Sequence, residues 1–215
     1  MIISIDGPAS SGKSTVADIL AKKLGFVHFN SGALYRGIAV YLNEHGLTAE
    51  TASDCYIAGL KLETKFVDDV QHVYVNTVDV TSRLRDNEIS QLSSLVSANP
   101  VSRKLVDDCQ RNFVAKNNAI IDGRDIGSVV FPNAEFKFYL DCSAHERAKR
   151  RFLEEQAKGN FVTLQEIEAQ ILARDEFDMH KKISPLVVPT GAIIVDSTNL
   201  SIDEVVAFMQ NKIKF

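Results

Sequence analysis

Gly7, Gly12, Lys13 and Ser14 stand at the spacing G-x-x-x-x-G-K-[ST] inside the stretch IDGPASSGKST. That spacing suits phosphate. Consecutive backbone N–H groups curl around the anion, Lys13 reaches the β- and γ-phosphates, Ser14 offers its hydroxyl to Mg²⁺, and the next helix presents its positive end. A second set of groups carries positive charge: Arg36, Arg103, Arg124, Arg147, Arg151, Arg174 and Lys181. Transfer of a phosphoryl group between two phosphates brings two polyanions together, and the receiving oxygen is already ionised. Such a site needs neutralisation more than a general base. Taken singly, each arginine reads equally as a solvated residue or a salt-bridge partner. Arg124 differs because it follows an apolar run at the carboxyl end, where ligands bind in open α/β sheets. Arg147 and Arg151 are four apart and share a helix face.

The elements that must hold these groups are visible as patterns. Apolar, β-branched runs recur at Ile2 to Asp6, Phe26 to Phe29, Ala119 to Asp122, Phe136 to Asp141 and Ala192 to Asp196, with helical periodicity between most of them. This predicts an α/β fold, a parallel sheet with helices on both faces. Ser143 with Glu146, Thr163 with Glu166 and Ser201 with Glu204 predict three helix starts with capping boxes. From Leu60 to Val80 the pattern alternates polar and apolar around Asp68-Asp69, predicting a small antiparallel sheet inserted into the core.

With 24 Lys and Arg against 28 Asp and Glu, the chain is mildly acidic, which argues against nucleic-acid binding by bulk charge. The three cysteines, Cys55, Cys109 and Cys142, and the five histidines lack metal-ligand spacing, so reduced thiols and a cytoplasmic setting are expected. No signal peptide is read at Met1 and no run approaches eighteen apolar residues, so a soluble protein without a membrane partner is expected. An Asn/Thr-Lys-x-Asp base-reading motif of GTPases is absent from the sequence. A nucleotide-dependent regulatory protein and a small-molecule kinase both remain compatible with the phosphate loop.

The segments IDGPASSGKST, NSGALYRG, IIDGRDIGSVVFPNAEFKFYLDCSAHERAKRR and RDEFDMHKKISPL together closely resemble the bacterial cytidylate kinases. The resemblance runs from Ile3 to the last helix. It implies a three-layer P-loop kinase fold over residues 1–215, with a five-stranded parallel sheet. The core would be 1–59, 86–150 and 186–215, the β-rich monophosphate-binding insertion about 60–85, and a short lid about 151–185. The implied reaction moves the γ-phosphoryl of ATP, with Mg²⁺, to CMP or dCMP, in a monomer. UMP, dTMP or an alcohol such as shikimate are the runner-up acceptors.

By the same resemblance, Gly7, Pro8, Ala9, Ser10, Ser11, Gly12, Lys13, Ser14 and Thr15 would bind ATP, joined by Arg147 and Arg151. Ser31, Arg103 and Asp125 would face cytosine, with Tyr35 and Gly123 beside them in SGALYR and DGRD. A carboxylate accepts from the N4 amino group that uracil lacks, so Asp125 favours CMP over UMP. Ser94, placed by an ungapped count to Pro100 and Arg103, and Asp178 would meet the sugar. Arg36, Arg124 and Arg174 would surround the acceptor or moving phosphate, with Lys13, Arg124 and Arg174 catalytic. Where many relatives carry Arg in RDxxDxxR, this chain has Lys181, which keeps the charge and loses the planar fork, so it would meet CMP as a point charge or share the task with Lys182. Asp122 reads either as holding Mg²⁺ through water, with Ser14, or as a structural cap on the turn at Gly123.

Overall fold

The computed structural model describes residues 1–214. In chain order the elements are β1 (Ile2–Asp6), α1 (Lys13–Leu24), β2 (Val27–Asn30), α2 (Ser31–Glu44), α3 (Asp54–Ala58), β3 (Leu62–Val67), β4 (Val70–Val75), β5 (Val78–Asp79), α4 (Asn87–Ala98), α5 (Pro100–Val114), β6 (Ala119–Gly123), β7 (Phe136–Asp141), α6 (Ala144–Ala157), α7 (Leu164–His180), β8 (Ile193–Asp196) and α8 (Ile202–Lys212). The chain forms two compact units. One comprises Met1–His28 and the chain from Ala119 onward, and the other Phe29–Asn118. Phe215, the last residue of the expected core, lies outside the described residues.

The expected five-stranded sheet is present in the order β2-β6-β1-β7-β8. β1 runs parallel to both β6 and β7, and β7 parallel to β8. The register sets Ile5 beside Asp122 and Asp6 beside both Gly123 and Tyr139. The carboxyl ends of three neighbouring strands therefore finish on one edge, where the phosphate loop and Arg124 emerge. Ile3, Ile5, Ile120, Phe138 and Leu140 pack with Val16, Ala17 and Leu20 of α1 and Val205, Val206 and Met209 of α8. Each large side chain so removed from water stabilises the sheet–helix layer by about 1.5–3 kcal/mol. α6 and α7 pack through a separate cluster of Ala148, Ile167 and Ile171, edged by Phe152 and Leu164.

Thr163 and Ser201 form the reciprocal capping boxes the sequence predicts. Ser143 caps one way only: its hydroxyl accepts from Glu146 N at 3.3 Å. Its own N–H is taken by Thr198 Oγ1 at 3.0 Å, and the Glu146 carboxylate accepts from Arg150 Nε at 3.3 Å. One tertiary partner, Thr198, and one a turn along the same helix, Arg150, have displaced the local bond.

In the second unit, β3, β4 and β5 make the expected antiparallel sheet. Asp68 and Asp69 turn with φ of 49° and 62°, and a second turn, Asn76-Thr77 with φ of 49° and 72°, adds the short third strand. Consecutive positive φ values match the twist of a two-residue hairpin. α2 packs on β4 and α5 on β3. The ring of Phe113 lies 4.9 Å from Phe29 and 5.0 Å from Phe66 at the centre of this unit. Among the described residues no helix is long and apolar enough to cross a membrane.

Candidate active site

The phosphate loop begins where β1 stops. Gly7 has φ of 150°, and a Cβ placed there would collide with the Leu140 carbonyl oxygen on the adjacent strand. Only glycine allows the loop to leave the sheet so close to β7. Ser10 and Gly12 follow at φ of 58° and 90°, and Gly12 leads into α1. Lys13 is 6% exposed, and its Nζ donates to Pro8 O at 2.6 Å and to Ser11 Oγ at 3.2 Å. Burial, helped by the neighbouring Arg124 cation, pulls its pKa well below the ordinary lysine value, against the opposite pull of Asp122 and Asp6. An ammonium held dry in this way is under-neutralised and attracts an anionic ligand strongly.

Asp122, at the end of β6, accepts from Ser14 Oγ at 2.7 Å and lies 2.8 Å from His28 Nε2. Burial opposes its charge, but His28, Ser14 and Lys13 outweigh that and keep its pKa below the usual carboxylate value. Among the described residues no cluster of three or more His, Cys, Asp or Glu is gathered to hold a metal. One hydroxyl and one ionised carboxylate nevertheless fit Mg²⁺, which keeps several waters and takes its other ligands from phosphate oxygens. Ser14 can turn a lone pair to the ion while its O–H still donates to Asp122.

Asp6 was legible in the sequence only as a strand end. Its carboxylate accepts from Ile126 N at 2.8 Å and Gly127 N at 2.7 Å, pinning the tight turn of Ile126–Val130 that follows DGRD. Burial pushes its pKa up to about 7 despite those two backbone donors.

Three of the expected cations converge on one carboxylate. Asp178 is 2% exposed and its Oδ2 accepts from Arg124 Nε at 3.0 Å, with Arg174 Nε at 3.9 Å and Lys181 Nζ at 3.9 Å from the carboxylate. Arg124 also donates through Nη1 to Gly7 O at 3.1 Å, which ties this cluster to the phosphate loop. Burial works against ionisation of Asp178, yet Arg124, Arg174 and Lys181 hold its pKa below the ordinary value. Three cations thus share the Asp178 carboxylate beside the phosphate loop. Arg147 is buried and spends Nη1 on Ala9 O and Asp175, while Arg151, one turn on, is half-buried.

Ser31, Tyr35, Arg36, Ser94 and Arg103 lie in the second unit, whereas Gly123 and Asp125 belong to the first. Asn30 caps α2 by accepting from Ala33 N at 2.7 Å, and the same oxygen accepts from Arg36 Nη2 at 3.1 Å. Ser31 and Tyr35 are 3% and 7% exposed on α2. The Arg103 guanidinium stands 5.7 Å over the Tyr35 ring and donates to Ser97 O at 3.3 Å. The structure separates two neighbouring serines. Ser93 Oγ donates to Ser90 O at 3.0 Å, whereas the buried Ser94 Oγ has no hydrogen-bond partner among the described residues. Asp125 is 4% exposed.

A family model described as Cytidylate kinase matches residues 3–215. The chain belongs to the cytidylate kinase family. "Cytidylate kinase" of Carboxydothermus hydrogenoformans is 46% identical over 209 residues, covering 96% of this chain and 94% of that protein. "Cytidylate kinase" of Streptococcus sanguinis is 42% identical over 215 residues, covering 99% and 96%. Among solved structures, shikimate kinase from Bacteroides thetaiotaomicron superposes with a TM-score of 0.51 at 14% identity, covering 99% of this chain and 97% of that one. That likeness concerns the P-loop kinase fold alone.

Within this family member, sequence reasoning passed over Asp6, His28, Asn30 and Asp175 as site residues. Asp175 had a signal, standing inside the quoted RDEFD motif between two chosen residues. Asp6 had a weaker one, as a carboxylate ending an otherwise apolar strand. His28 had none, because its partner Asp122 is 94 residues away.

Proposed function

We propose that the chain transfers the γ-phosphoryl group of ATP to CMP or dCMP, forming ADP and CDP or dCDP. It does so as a monomer in the cytoplasm, in pyrimidine nucleotide metabolism. The observation that carries this reading is the Arg124–Arg174–Lys181 cluster on Asp178, tied through Arg124 to the phosphate loop at Gly7. A donor cradle and a cluster of cations beside it within one compact unit are what phosphate-to-phosphate transfer requires.

In this reading an oxygen of the acceptor phosphate attacks the γ-phosphorus in line, the bond to the β–γ bridging oxygen breaks, and ADP leaves with the electron pair. Residues 7–15 hold the donor phosphates, with Arg151 alongside. Lys13 follows the moving phosphoryl, and Arg124 and Arg174 neutralise the two approaching anions. Ser14 directly and Asp122 through water would hold Mg²⁺, which when bound neutralises charge on the β- and γ-phosphates. Ser31, Arg103 and Asp125 read the base, with Tyr35 and Gly123 beside them, Ser94 and Asp178 meet the sugar, and Arg36 supports the acceptor phosphate. Lys181 acts as a point charge. Residues 60–85 form the monophosphate-binding insertion. Residues 151–185 form a lid that excludes water, which would otherwise consume ATP. The acceptor oxygen is already ionised, so the rate follows the acceptor's own phosphate ionisation near pH 6 and needs no histidine.

The test is ADP release with MgATP and CMP, dCMP, UMP, dTMP, AMP, GMP or shikimate, a control without acceptor, and Lys13→Ala. Turnover with CMP and dCMP well above UMP, lost in the variant, is expected. ADP release that no acceptor raises above the control would overturn the reading.

A further inference from the structure

A buried ion pair grips the phosphate loop from outside. Arg147 on α6 and Asp175 on α7 are 5% and 6% exposed, and Arg147 Nη1 meets Asp175 Oδ2 at 2.6 Å. Both partners also close on a single residue of the loop, Ala9, through the peptide on either side of it. Ala9 N donates to Asp175 Oδ1 at 3.1 Å, and Ala9 O accepts from Arg147 Nη1 at 3.0 Å. Arg147 Nε donates to Cys142 O at 2.9 Å, one residue beyond β7, so the guanidinium is anchored to the sheet edge as well.

Net stabilisation is a weak reason for such a pair, since desolvating two charges consumes most of their attraction, and a well-packed apolar pair of similar volume is often as stable. Geometry is what the pair secures. With both polar groups of Ala9 bonded, the peptide immediately before the left-handed Ser10 has one orientation, and the loop's later amides and Lys13 inherit it. Asp175 also sits beside Arg174 and three residues before Asp178 on the same helix. The helix carrying the acceptor cluster is thus bonded directly to the loop carrying the donor.

We infer that Arg147 and Asp175 are a pair of positioning residues, which set the phosphate loop for the donor nucleotide and hold it in register with Arg174 and Asp178. Arg147 then acts on ATP through Ala9, not by touching it. The inference rests on the kinase reading for the identity of the acceptor, but the donor side can be judged without it. Misplacing reacting groups by about 1 Å costs about a hundredfold in rate, so the pair is expected to affect turnover as well as binding.

The test uses the full chain as wild type, Asp175→Ala, Asp175→Asn and Arg147→Lys. ADP affinity is read by calorimetry without acceptor, and kcat and both KM values by initial rates. Asp175→Ala is expected to weaken ADP about tenfold, raise KM for ATP similarly, lower kcat at least tenfold, and leave KM for CMP within about twofold. Asp175→Asn keeps an acceptor for Ala9 N–H and should recover part of the loss. In the wild type, the Ala9 amide should exchange its hydrogen slowly.

Unchanged ADP affinity and kcat in folded Asp175→Ala would overturn the inference. So would equal losses toward both substrates that track a lowered melting temperature. Fast exchange at Ala9 in the wild type would also overturn it, and that measurement decides even if the variants do not fold. A wild type that binds ADP but phosphorylates neither CMP nor dCMP would refute the kinase reading, while affinity and exchange still judge the pair.

Discussion

Replacing Asp178 with Asn removes the carboxylate that holds Arg124 at 3.0 Å and has Arg174 and Lys181 at 3.9 Å. Asn keeps the volume and one acceptor oxygen for Arg124 Nε, but takes away the negative charge that Arg124, Arg174 and Lys181 share. At 2% exposure, water makes up little of that loss. Breaking a buried pair by neutralising one partner costs about 3 kcal/mol at the lower end of the observed range, which for a chain of this size is about 6–12 °C in melting temperature. The pH dependence has a defined sign. Burial opposes the Asp178 charge, but its three cations lower the folded pKa below the unfolded value. Its stabilisation is therefore complete above the unfolded value of about 3.9 and is lost as pH falls through the folded pKa. Thermal melts of wild type and Asp178→Asn should differ by that margin at pH 7.5 and converge as the medium is acidified below about pH 4. A variant melting within about 2 °C of wild type at pH 7.5, or a gap that persists undiminished at the lowest pH at which both fold, would refute the argument.

Lys13→Ala should lower kcat by about a hundredfold or more, measured by ADP release, because an under-neutralised buried cation is withdrawn from the moving charge. Ser14→Ala should raise the free Mg²⁺ needed for half-maximal rate by about tenfold, with a smaller change at saturating Mg²⁺. Asp125→Ala should reduce the preference for CMP over UMP by about five- to a hundredfold in kcat/KM, since the acceptor for the N4 amino group is gone. Gly7→Ala should cost more than about 3 kcal/mol in denaturant melts or abolish soluble expression, because its Cβ would collide with the Leu140 carbonyl.

The sequence by itself determined the elements and the donor chemistry of this protein. Apolar, β-branched runs separated by helical stripes mark the strands of the parallel sheet to within a residue or two, since local pattern and burial demand the same answer there. The phosphate loop is legible for the same reason: its function depends on backbone shape, and glycine spacing records backbone shape directly. DGRD, SGALYR and RDEFD likewise announce their arginines and carboxylates. Which of those charges oppose one another is decided only in three dimensions. Arg147 and Arg151 share one helix face and look equivalent in sequence, yet Arg147 is bonded inward to Ala9, Cys142 and Asp175. Ser143 and Ser201 share one capping pattern, yet Thr198 and Arg150 break the box at Ser143. Asp6, His28 and Asp175 take their meaning from partners 28 to 166 residues away. Hydrogen bonds and ion pairs act over a few ångströms of space whatever their separation along the chain, so spacing in sequence records local geometry and leaves long-range pairing to the fold.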